Sequence, residues 1–169
     1  AMDDAALPLE HAQTMTKPSL VGRMITALAP QPGDIVLEVG AGSGYQAAAI
    51  ADLAKKVVTL DRWSDLVHNA RARFNAARLT RINVHLDERF GGFEHDAPYD
   101  RIIVNAAVED LPPPLLDQLK AGGVLLAPVG DAREQRLIRY CSGEREDLGP
   151  IRFQPLERGL GDAIPVSPD

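Results

Sequence analysis

DIVLEVGAGSGYQAAAI, residues 34–50, passes without a break from an apolar run through three closely spaced glycines into an alanine-rich run. Residues 35–39, IVLEV, read as a buried β-strand, and residues 46–53 as the helix that follows. Between them Gly40, Gly42 and Gly44 remove side chains where the backbone must turn sharply. The same glycines would let a ligand approach main-chain N–H groups at a helix start.

Working outward, strand and helix alternate. Upstream, residues 18–28 carry apolar side chains at helical spacing until PQPGD stops them. Downstream, VVTL (57–60) reads as a strand, 64–77 as a helix with Ser64 as its N-cap, and INVHL (82–86) as a third strand. After the Ala97-Pro98 turn, RIIVNAA (101–107) is a fourth strand. LPPPLLDQLK (111–120) starts a helix behind its prolines, Gly122-Gly123 ends it, and VLLAPV (124–129) is a fifth strand. QRLIRY (135–140) and IRFQPL (151–156) read as two more strands joined by the polar loop SGEREDLG, which predicts an antiparallel hairpin. This order predicts an α/β fold: a doubly wound, mainly parallel sheet with helices on both faces and ligands beyond the carboxyl ends of the strands.

The bulk composition agrees. The 169 residues suit one domain spanning 1–169, and a domain of that size hides roughly 70% of its unfolded surface. With 45% apolar and 25% charged residues the chain is an ordinary globular sequence. A formal net charge of -6 argues against a general nucleic-acid surface, and Arg71, Arg73, Arg78 and Arg81 read as a solvated helix face. The single cysteine, Cys141, has no internal disulfide partner, no run approaches the roughly 20 apolar residues of a membrane span, and no signal sequence opens the chain. Together these predict a cytoplasmic protein with no membrane or nucleic-acid partner.

Glycine spacing narrows the ligand. A dinucleotide fingerprint wants glycines at its first, third and sixth positions, whereas here they stand first, third and fifth, with Tyr45 sixth. Asp61 closes the second strand 17 residues after Gly44, where a carboxylate can accept from both hydroxyls of a ribose. Dinucleotides and S-adenosylmethionine both carry that ribose.

VLEVGAGSGYQAA, followed in order by LDRW, APYDRIIVNAA, LLDQLKAGGVLLAPVG and RFQPL, resembles the protein-L-isoaspartate (D-aspartate) O-methyltransferase family, and the likeness runs from about Leu7 to Leu156. The resemblance implies a class I methyltransferase (Rossmann-like) fold that binds S-adenosylmethionine and releases S-adenosylhomocysteine. It implies that Glu38, Gly40, Ala41, Gly42, Ser43 and Gly44 form the cofactor loop, with Asp61 on the ribose, Arg62 beside it, and Asp87 and Glu88 toward the adenine. LPLEHAQTMTKP is similar to the family's approach to its substrate loop, so 1–17 is expected to serve the substrate. Thr16 is the candidate for a hydrogen bond to the substrate carboxylate, with Lys17 and Asn105 nearby.

The chain also departs from the family pattern. Thr16-Lys17-Pro18 stands where the family has Ser-Gln-Pro, and Asp87-Glu88-Arg89 replaces the Gly-Asp-Gly that meets the adenine. Family members carry a helical N-terminal segment over the active site. Little precedes Leu7 here, which predicts either a shortened start or a more open site.

The implied reaction is methyl transfer to the carboxylate of an isoaspartyl residue in a protein or peptide. A carboxylate is anionic at neutral pH, so placement rather than a general base would supply the acceleration. His11, His68, His85 and His95 accordingly read as surface or structural residues. Alternatives are a related methyltransferase acting on a peptide natural product or small acid, a non-catalytic cofactor-binding module and, more distantly, an NAD-dependent oxidoreductase.

Overall fold

The structure, a computed structural model, describes residues 4–5, 7–9, 11 and 14–156. Positions 1–3, 6, 10, 12 and 13 of the expected substrate-loop segment, and 157–169, lie outside the described residues.

Two short strands, β1 (Leu7–Pro8) and β2 (Thr14–Met15), pair antiparallel ahead of helix α1 (Pro18–Leu28). Then follow β3 (Ile35–Val39), α2 (Tyr45–Ala51), β4 (Lys56–Asp61), α3 (Ser64–Ala76), β5 (Ile82–Leu86) and β6 (Tyr99–Val104). The chain continues through α4 (Pro113–Asp117), β7 (Leu119–Gly130), β8 (Gln135–Cys141) and β9 (Glu144–Pro150). The main sheet has seven strands in the order β5-β4-β3-β6-β7-β8-β9. β5 through β7 pair in parallel, whereas β8 pairs antiparallel to both β7 and β9. This is the expected doubly wound α/β sheet with a closing hairpin.

Central strands are buried on both faces, so their side chains alternate between two cores. Val36, Val57, Ile103 and Val124 pack under α1, α2 and α3 through Met24, Ile50 and Phe74. Leu37, Val58, Leu60 and Ile102 pack on the other face against Leu115 of α4 and the loop residues Phe90, Val108 and Leu111. Helices therefore cover both faces unequally, three on one side and the five-residue α4 on the other.

Two expected elements are corrected. The helix expected over 111–120 is only α4, because Gln118 turns inward and Leu119 already pairs with Tyr99, leaving Gly122 and Gly123 inside β7. The hairpin exists, but its second strand is the charged EREDLGP rather than IRFQPL, which contributes only a bridge from Pro155 to Ala107. β9 is the sheet edge and mostly exposed, so charge is compatible with it and blocks pairing with other chains. Arg136 holds it from β8 with Nε 3.1 and 2.9 Å from the two Asp147 oxygens.

Candidate active site

The sheet's topology places the site. From β3 the chain winds outward to β4 and β5, then returns to the other side of β3 as β6, leaving a crevice at the carboxyl ends of β3 and β6. Gly40 directly follows β3 and Asn105 directly follows β6. Asn105 N donates to Val39 O at 2.8 Å, and its Nδ2 donates to Gly40 O at 3.1 Å.

The cleft there has two lobes. One, about 520 Å³, is lined by Leu9, Thr16, Ser43, Tyr45 and Gln46 among others, and the other, about 550 Å³, by Leu60, Arg62, Trp63, Asp87, Phe90 and Leu156 among others. Gly40, Asp61 and Asn105 line both and form the ridge between them. The first lobe is rich in hydroxyl and amide side chains; the second is largely apolar apart from its acidic and basic rim.

The glycine loop works differently from its sequence reading. Gly40 N and Ala41 N both donate to Leu60 O at 2.8 Å, Gly44 N to Ala41 O at 2.9 Å, and Tyr45 N to Ser43 Oγ at 3.3 Å. These amides are already satisfied inside the protein, and α2 is a helix of seven residues. The loop offers room more than donors. A Cβ on Gly40, at φ +96°, would approach Asn105 Cβ to 3.1 Å and narrow the ridge, while one on Gly44, at φ +85°, would meet the Phe74 ring at 2.7 Å. Gly44 thus serves close packing of the loop on α3 and lines neither lobe. Arg73 adds a tie from α3, its Nη1 donating to Ser43 O at 3.1 Å.

Asp61 takes one further loop amide. Its Oδ2 accepts from Gly42 N and its Oδ1 from Trp63 N, both at 3.1 Å. Burial pushes its pKa up, opposed by these backbone donors. Glu38 lies one layer deeper, fully buried, and bonds no loop amide; Thr59 Oγ1 donates to its Oε1 at 2.6 Å. Burial pushes its pKa up to about 8, with the Asp61 charge adding to the rise. Glu38 therefore keeps its proton at neutral pH.

Asn105 Nδ2 also donates to Gln46 Oε1 at 2.6 Å. Glu38 Oε2, Asn105 Oδ1 and Gln46 Nε2 are buried without a hydrogen-bond partner. Buried polar atoms are nearly always paired, and Asn105 and Gln46 line the cleft, so their unmet atoms are what a polar ligand there would satisfy. The fit to S-adenosylmethionine follows from this chemistry. The amide-lined lobe suits its amino-acid end, the Asp61 ridge its ribose and the apolar lobe its base.

Other expected site residues separate. Thr16 lines the first lobe, but Lys17 is exposed and lines neither; it is the N-cap position of α1 without a side-chain cap bond. Arg62 lines the second lobe with its guanidinium carbon 4.6 Å from the centroid of the Trp63 ring. Asp87 lines the second lobe, whereas Glu88 lines neither. Sequence reading missed Leu9, Trp63 and Phe90 as wall residues. His11 stacks on Trp63 at 3.9 Å and bonds Asp65 at 2.5 Å, which sets His11 against a wall residue of the second lobe.

A sequence profile of the protein-L-isoaspartate(D-aspartate) O-methyltransferase family matches residues 1–157. The chain belongs to this family. Similar family members include the protein-L-isoaspartate O-methyltransferase of Ruegeria sp. (strain TM1040), 48% identical over 95% of this chain and 77% of the relative. That of Cereibacter sphaeroides (strain ATCC 17029 / ATH 2.4.9) is 46% identical over 95% of this chain and 76% of the relative. Among solved structures, a protein-L-isoaspartate O-methyltransferase superposes with a TM-score of 0.85 at 23% identity, over 94% of this chain and 54% of that one. The beta-aspartate methyltransferase of Plasmodium falciparum, solved in complex with S-adenosyl-L-homocysteine, gives 0.78 at 22% identity, over 93% of this chain and 82% of that one. These structural likenesses fix the class I methyltransferase fold. Of the segments Thr16-Lys17-Pro18 and Asp87-Glu88-Arg89, Thr16 lines one lobe of the cleft and Asp87 the other.

Proposed function

We propose that this protein methylates the carboxylate of L-isoaspartyl, and D-aspartyl, residues in proteins or peptides, using S-adenosylmethionine. The observation that carries this reading is the two-lobed cleft at the β3–β6 switch point, with Asp61 on its dividing ridge and Thr16 on its polar wall. When bound, S-adenosylmethionine supplies an electrophilic methyl group on a sulfonium sulfur.

Everything else is positioning. Asp61, fixed by the Gly42 and Trp63 amides, accepts from the ribose hydroxyls. Asn105 Oδ1 and Gln46 Nε2 meet polar groups of the amino-acid end. Thr16 donates its hydroxyl to the acceptor carboxylate, which is already anionic and needs no base. Neutral Glu38 keeps a second negative charge away from that acceptor. Lys17, exposed beside Thr16, adds a cation near an acidic peptide. Among the described residues no helix is long and apolar enough to cross a membrane. With the lone Cys141 and an acidic net charge of -6, this supports a cytoplasmic enzyme whose partners are damaged proteins rather than nucleic acids.

The test is incubation with methyl-labelled S-adenosylmethionine and an isoaspartyl peptide beside its aspartyl twin. Base-labile label on the isoaspartyl peptide alone is expected. Label on neither, with the cofactor still bound, would move the acceptor to another acid.

A further inference from the structure

The second lobe contains a residue held in an unusual backbone shape. Phe90 has φ +59°, the left-handed region that a bulky side chain enters only when its surroundings fix it there, and it is 8% exposed. Those surroundings are visible. The Asp87 carboxylate accepts from Arg89 N at 3.2 Å and Gly91 N at 3.3 Å through Oδ1, and from Gly92 N at 3.1 Å through Oδ2. From the opposite side buried Gln118 accepts from Phe93 N at 2.9 Å and donates to Gly91 O at 2.6 Å. Tyr99 OH donates to Phe93 O at 2.5 Å. Clamped at both ends, residues 87–93 present Phe90 on the lobe wall beside Leu60 and Leu156.

The clamp has a consequence for recognition. Both oxygens of Asp87 already face loop amides, and Glu88 lines neither lobe. Trp63, the other aromatic residue of this lobe, already has His11 stacked on it and Arg62 against it. Phe90 carries no ring partner among the described residues.

We propose that Phe90 holds the adenine of S-adenosylmethionine by apolar contact, in a lobe where three acceptor positions of Asp87 are taken by its own loop. The inference rests on reading the cleft as the S-adenosylmethionine site. An apolar wall recognises a purine face without reading its 6-amino group, whereas a carboxylate acceptor reads that group directly.

Calorimetry on the full chain tests this, with S-adenosylhomocysteine and its analogue lacking the 6-amino group as probes. The wild type is expected to bind both within about threefold, because loss of a hydrogen bond to a charged acceptor would instead weaken the analogue roughly tenfold to a hundredfold. Phe90→Ala should weaken both probes equally, by roughly fivefold to a hundredfold, the range of base–aromatic contacts, and Phe90→Leu by less. Phe90 also packs into the core beneath, so melting temperatures are measured alongside; Phe90→Gly, which relieves the left-handed backbone, serves if the alanine variant does not fold. A tenfold or larger loss for the analogue in the wild type would overturn the proposal. So would a folded Phe90→Gly protein with undiminished affinity. Failure of S-adenosylhomocysteine to bind the wild type would overturn the cofactor reading as well, which separates the two failures.

Discussion

Thr16 can be altered without disturbing the helix that follows it. The N-cap position of α1 is Lys17, and Asp4 accepts from Ser19 N and Oγ at 2.9 and 2.8 Å, so Thr16 does not cap the helix. Thr16→Val should lower turnover on the isoaspartyl peptide by roughly tenfold to a hundredfold, the worth of a hydrogen bond to a charged group. Cofactor affinity and melting temperature should hardly move; a lower melting temperature with normal turnover per folded molecule would assign Thr16 to stability alone. Glu38 offers a pH signature. Its pKa of about 8 in the folded protein stands above the ordinary glutamate value of 4.5, so between those limits the native state binds more protons than the unfolded chain. Stability from this group is therefore complete below pH of about 4.5 and is lost as pH rises toward about 8. Glu38→Gln, which keeps the neutral shape, should melt with the wild type at pH 5 and above it at pH 8.5. A melting difference that stays constant across this range would refute a titrating Glu38.

The glycine loop is positioned by α3 as much as by its own sequence. Gly44→Ala puts a Cβ 2.7 Å from Phe74 Cζ at φ +85°, which should cost about 1–3 kcal/mol through strain and overpacking. Gly22, exposed in α1 with nothing within 4 Å of a Cβ, behaves oppositely. Gly22→Ala should stabilise by about 0.5–1 kcal/mol, because alanine loses less backbone entropy in a helix. Denaturant melts of both variants check the pair; equal effects would mean that the loop does not need the Phe74 contact. α4 and β9 show where pattern reading of an element fails. A proline-started apolar run looked like a full helix, but Gln118 is needed inward to hold residues 91–93. A charged run looked like a loop, but an edge strand tolerates charge on both sides.

Cofactor binding should couple the two lobes to the stability of the entire fold, since the ridge joins the ends of β3, β4 and β6. A ligand at 100 times its Kd adds about 2.7 kcal/mol, which for a chain of this size raises Tm by about 5–10 °C. S-adenosylhomocysteine should produce that rise in the wild type and NAD should not. Asp61→Ala should remove from about half to most of it at the same concentration, through an affinity loss of roughly tenfold to a hundredfold. An equal rise in the variant would show Asp61 to be a strap for the Gly42 amide and nothing more.

The sequence by itself determined the parallel sheet and the place of the site. Period and punctuation are local: IVLEV, VVTL and INVHL carry their strand pattern within themselves, and a glycine loop after the first of them lies at its carboxyl end. Family resemblance carried the cofactor and reaction class, because five motifs in order encode one fold. Only the tertiary structure decided which polar atoms are already satisfied. The loop amides turn to Leu60 and Asp61, Glu38 is buried and neutral, Asp87 is engaged by its own loop, and Phe90 faces the lobe that an acidic segment seemed to claim. Hydrogen-bond partners and burial are properties of segments brought together from distant parts of the chain, so no local pattern contains them.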